Sequence, residues 1–106
     1  MAKLPITIYK EILAKQKELF ESGERDGTIP IDLAYYYFDM AGYRRSTANK
    51  WLLNWGTCKA LKFDTDKQGR TIRLGEFYDC TPEECLNGVW LNVKEVILPN
   101  MERCKL

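Results

Sequence analysis

Between Pro5 and Ser22 the apolar residues Ile8, Tyr9, Ile12, Leu13, Leu19 and Phe20 recur at helical spacing, with Lys10, Glu11, Lys15, Lys17, Glu18 and Glu21 on the other side. The pattern predicts a first helix. Pro5 suits its opening turn, and Gly23 stands where a left-handed cap would close it. Thr28-Ile29 fits a short edge strand whose pairing Pro30 limits. A second helix is expected from Asp32, a suitable N-cap, to Ala41, with Leu33, Ala34, Tyr37, Phe38 and Ala41 on its apolar side and Gly42 as its stop. The third helix carries Ala48, Trp51, Leu52 and Trp55 as its buried stripe and ends at Gly56-Thr57. Its opposite face presents Arg45, Ser46, Asn49, Lys50 and Leu53.

From Ala60 the period switches to two. Leu61 and Phe63 share one face, residues 64–69 form a polar turn, and Ile72 and Leu74 alternate with Thr71 and Arg73, which predicts a β-hairpin. On its outer face Lys62 and Arg73 come together, and like charges across a strand pair are unfavourable unless an anion lies nearby. Thr81-Pro82-Glu83-Glu84 is a helix start, with a hydroxyl cap, proline at the first position and an acid three residues on. Beyond it, Leu86, Val89, Trp90, Val93, Val96 and Ile97 fit a helical stripe. Gly88 and the β-branched residues also suit a strand, so the expectation is a helix of at least two turns from Pro82, reaching toward Leu98.

At 106 residues, 45% of them hydrophobic and 29% charged, the chain is expected to be a single domain with one core. It has no apolar run of bilayer length and no leader pattern, so a cytoplasmic location with no membrane contact is expected. Cys58, Cys80, Cys85 and Cys104 are expected to be reduced thiols. Cys80 and Cys85 have half-site spacing for zinc, but a full site would need distant partners, and no metal is expected. Histidine is absent, which removes the commonest general base and metal ligand. No catalytic residue and no cofactor are expected. The net charge of +1 hides a segregation: residues 43–74 hold eight Lys/Arg and two acids, while the stretches on either side are acidic. Such a window suggests a face for a polyanion.

Helix, sharp turn, helix and hairpin, with the phrase Gly42-Tyr43-Arg44-Arg45-Ser46-Thr47-Ala48 followed by Trp51, resembles the winged helix-turn-helix family across residues 29–74. In that family a glycine closes the first helix of the motif, an apolar residue follows, and small polar residues open the recognition helix. Leu61-Lys62-Phe63 resembles the strand that begins the wing. Phe38 stands where the family prefers alanine, which implies a wider helix crossing or a register shifted by one residue. The resemblance implies an α+β fold: a three-helix core of residues 5–75 with a β-hairpin wing, and a helical C-terminal extension over residues 76–106.

It also implies sequence-specific binding of double-stranded DNA by a small transcriptional regulator of prokaryotic, phage or plasmid type. Arg44, Arg45, Ser46, Asn49 and Lys50 would meet base edges, and Lys62, Lys67, Gln68, Arg70 and Arg73 would bring the hairpin to the backbone. The cations of helix and hairpin are expected to converge on one exposed surface. The acidic, apolar C-terminal segment is the candidate contact of a homodimer. The alternative is a winged-helix protein-interaction module of a replication, viral or inhibitory assembly, using exposed Tyr36, Met40 and Leu53.

Overall fold

A computed structural model describes residues 3–67, 69–76 and 78–87. The chain runs α1 (Pro5–Glu21), β1 (Thr28–Pro30), α2 (Ile31–Met40), α3 (Arg45–Thr57), β2 (Leu61–Asp66), β3 (Gly69–Leu74) and α4 (Glu83–Leu86). It is an α+β architecture with three long helices and a three-stranded antiparallel sheet in the order β1-β3-β2. β1 is the predicted edge strand, pairing Ile29 with Ile72 and Pro30 with Thr71. The hairpin register puts Lys62 directly opposite Arg73, as the alternation predicts.

The core forms where the helical stripes meet one sheet face. Ile8, Tyr9 and Ile12 of α1, Ala34 and Phe38 of α2, Ala48, Leu52 and Trp55 of α3, and Ile29, Leu61 and Ile72 of the sheet are buried together. Trp55 is its hub: Phe38 stacks on it at 5.6 Å and Tyr9 meets it edge-on at 5.3 Å. Phe38 therefore sits between α2 and α3 against Trp55, and small Ala34, Ala41 and Ala48 are buried in the same core.

All three long helices end alike. After α2, Gly42 takes φ +90°, its N–H bonds to Asp39 O, and the Tyr43 N–H reaches back to Phe38 O. The Tyr43 ring then meets the Phe38 ring at 5.7 Å, the apolar contact that accompanies such an end. α1 closes on Gly23 in the same way. α3 ends at Thr57, where the Gly56-Thr57 stop is expected, but its left-handed closing residue is Lys59, a non-glycine residue at φ 61°, with the Ala60 N–H bonded to Trp55 O.

Several expectations are corrected. α2 starts at Ile31 with Pro30 at its cap, so Asp32 lies in the first turn, where its charge still favours the helix dipole. Phe20, in the last turn of α1, extends beyond the core and is exposed. Thr71 is buried although it alternates with the inward residues. α4 is one turn, capped by Pro82 and ended at Asn87, instead of two turns or more. Its Cys85 and Leu86 belong to the main core, so the segment after residue 75 is in part integral to the domain. Cys58 and Cys85 are buried and outside any disulfide, as expected, whereas Cys80 is disulfide-bonded. The expectations for residues 88–106, including the helix toward Leu98 and most of the proposed dimer segment, lie outside the described residues.

Candidate nucleic-acid interface

α3 is held by its inner side. Trp55 donates its indole N–H to Leu86 O at 3.1 Å, and Asn54, buried one position earlier, donates its amide to Cys85 O at 2.7 Å. Tyr9, on α1, donates its hydroxyl to Ala60 O at 2.9 Å and thereby fixes the chain just past the helix. Desolvation is the main reason the Tyr9 hydroxyl has a pKa well above the usual 10.0, with Cys58, Asp79 and Tyr78 adding to it. The Cys58 thiol is also pushed above its usual 9.0 by burial, against two backbone hydrogen bonds that lower it.

The outer side is open. Arg44, Arg45, Ser46, Asn49 and Lys50 are all exposed. Arg44 is the helix cap, and no side chain caps the first N–H groups. Among the described residues no carboxylate forms an ion pair with Arg44, Arg45, Lys50, Lys62, Lys67, Arg70 or Arg73. Among the described residues the ion pairs lie elsewhere, Lys3 with Glu11, Lys15 with Glu18 and Lys17 with Glu21 at and along α1, and Arg25 with Asp66 between the loop after α1 and the hairpin. Lys59 is the basic residue of the 43–74 window that pairs, with Glu76.

Two of the exposed side chains are organised by α2. The Arg45 guanidinium lies over the ring of Tyr35, its central carbon 3.4 Å from the ring centroid. The Tyr35 hydroxyl donates to Oδ1 of Asn49, one turn farther along α3. Tyr35 was not singled out by sequence reasoning. Its signal would have been the three consecutive tyrosines, one of which must point between the inner and outer sides of α2.

The hairpin cations divide by strand alternation. Arg70 shares a face with Phe63 and Ile72 and lines an open groove of about 430 Å³ with Ile31, Tyr35, Asn49, Leu52, Leu53 and Phe63. Lys62 and Arg73 are cross-strand partners on the other face. The expected convergence thus brings Arg70 to α3 and leaves Lys62 and Arg73 as a separate basic pair. Lys67 is exposed at the hairpin tip, and Gln68 lies outside the described residues. Leu53 is 60% exposed between this groove and a neighbouring one in which Leu61 and Phe63 stand beside the charged Lys59, Lys62 and Glu76. Tyr36 and Met40 are exposed too, and Tyr36 lines two clefts in which Leu53 takes no part.

Among the described residues no group of three or more His, Cys, Asp or Glu gathers as for a metal ion, and no helix is long and apolar enough to cross a membrane. No protein-family model, curated protein or solved structure matches this chain.

Proposed function

We propose that the chain is a winged helix-turn-helix protein that binds double-stranded DNA in a sequence-specific manner, with α3 in the major groove, and that it acts as a small transcriptional regulator of prokaryotic, phage or plasmid type. One observation carries the reading. Arg44, Arg45 and Lys50 stand exposed without carboxylate partners among the described residues, on a helix whose other face is fastened to the core through Trp55 and Asn54. A rigid helix with unneutralised cations on its outer side suits a phosphate-lined groove. The left-handed Gly42 between α2 and α3, and the α-β-α-α-β-β order with a β1-β3-β2 sheet, support the family reading.

The parts then have separate roles. Arg45, Asn49 and Lys50 reach base edges, and Arg44 with the uncapped N–H groups of α3 takes a phosphate. Arg70, on the same side, tracks the backbone. Lys62, Lys67 and Arg73 add attraction that falls with salt. Selection of bound duplexes from a random pool at a stated salt concentration tests the reading. Enrichment of a short common site supports it, and an inverted repeat would add two-fold assembly. A pool that stays random contradicts sequence-specific binding.

A further inference from the structure

We infer that α3 reads guanine, because Tyr35 turns its reading side chains into a surface of hydrogen-bond donors. The inference rests on the DNA-binding reading and adds the base that the helix selects.

Arg45 and Asn49 are one turn apart on α3, and both rest on Tyr35 of α2. The guanidinium N–H bonds lie in the plane of the group. Stacking its face on the Tyr35 ring therefore leaves the donating edge free and fixes its orientation. The Asn49 amide is fixed by its other atom. Its Oδ1 accepts the Tyr35 hydroxyl proton, so the oxygen faces the protein and Nδ2, with its two hydrogens, faces outward.

That orientation changes what Asn49 can recognise. An unconstrained asparagine offers oxygen to the adenine N6 amino group and nitrogen to N7 at once. With the oxygen turned toward Tyr35, the amide presents its two N–H donors to a base. Arg44, Arg45 and Lys50 have no acceptor, and the Ser46 hydroxyl can act in both senses and does not discriminate. In the major groove guanine presents two acceptors, N7 and O6, whereas adenine pairs its N7 with an amino donor and cytosine presents a donor. A donor-only surface matches the two adjacent acceptors of guanine, finds only O4 beside a methyl group on thymine, and leaves the amino groups of adenine and cytosine unpaired. Tyr35 is thus a positioning residue, acting through Arg45 and Asn49.

The test uses the site enriched from the random pool. Guanine is expected at the positions under α3, and replacing one of them by adenine is expected to weaken wild-type binding roughly tenfold. Tyr35→Phe keeps the ring under Arg45 but removes the hydroxyl, freeing the Asn49 oxygen. It should reduce that guanine preference to about threefold or less, with an unchanged salt slope and little change in thermal midpoint. Asn49→Ala, at an exposed position, should erase the preference at the same base pair while leaving the Tyr35 ring under Arg45. Enriched sites without guanine under α3, or the wild-type preference retained in both variants, overturn the inference while DNA binding stands. No binding to any duplex overturns both.

Discussion

The ring of Phe63 on β2 lies so close to Gly56 of α3 that a methyl group on Gly56 would stand 2.6 Å from its Cε2 atom. Glycine inside a helix is about 1 kcal/mol less favourable than alanine, so this position trades helix propensity for a close approach of strand and helix. Gly56→Ala should therefore change stability by less than about 1 kcal/mol, because the gain in propensity opposes displacement of a half-exposed ring. With Phe63→Ala in place the same change should stabilise by about 1 kcal/mol. Chemical denaturation of the four proteins of this double-mutant cycle measures the coupling, and additive effects would contradict a contact of this kind.

Two buried donors fasten α3 to the one-turn α4. Asn54→Ala leaves Cys85 O without its amide donor, and Trp55→Phe does the same to Leu86 O while opening space in the core. Each change should cost about 1–4 kcal/mol in urea unfolding, with Trp55→Phe the larger because it also loses packed volume. Equal and negligible losses would mean that α4 is not integral to the domain.

The helix ends differ in how well the sequence suits them. Gly42 adopts φ +90°, and Gly42→Ala should destabilise by about 1 kcal/mol or more. Lys59 holds a comparable left-handed position without being glycine, so Lys59→Gly should stabilise by up to about 1 kcal/mol, less a small loss from the exposed pair with Glu76. Thermal melts of both variants check the opposite signs.

Tyr9 and Cys58 give stability a defined dependence on alkaline pH. Both groups are neutral when protonated, and the unfolded chain releases their protons at ordinary values of 10.0 and 9.0 while the native protein retains them. The native state then binds more protons, so stability is full below about pH 9 and falls as pH rises above it. Tyr9→Phe lowers stability at neutral pH by about 1–2 kcal/mol through its lost hydrogen bonds, but its decline above pH 10 should be shallower than the wild type's. Melting temperatures between pH 7 and 11 test this, and parallel declines would contradict the role given to Tyr9.

What could be read from the sequence was what is decided locally. The stripes of α1, α2 and α3, the Gly23 and Gly42 ends, and the Lys62–Arg73 pairing follow from spacing and from residue types with one strong backbone preference. Gly56 falls at the predicted end of α3 without being its left-handed cap, because glycine marks either such a cap or a close approach, and only the position of Phe63 decides between them. Asn54 looks like a surface residue until Cys85, 31 positions on, brings a carbonyl to it. Phe20 has the right period for the core, but no described residue covers it in the last turn of α1. In the candidate site, the exposed basic residues of α3 were legible from their place opposite the tryptophans. The organising role of Tyr35 was not, because it depends on how α2 crosses α3.

The salt dependence of duplex binding is the most direct test of the proposal that the open side of α3 is a DNA-binding face. Titrating wild type and the Arg44→Ala/Arg45→Ala/Lys50→Ala variant with labelled duplex at several salt concentrations gives the slope of log affinity against log salt. The account predicts wild-type binding that weakens steeply with salt, and a folded variant with weaker binding and a slope smaller by about two to three. A folded variant that binds duplex with wild-type affinity and slope would contradict it.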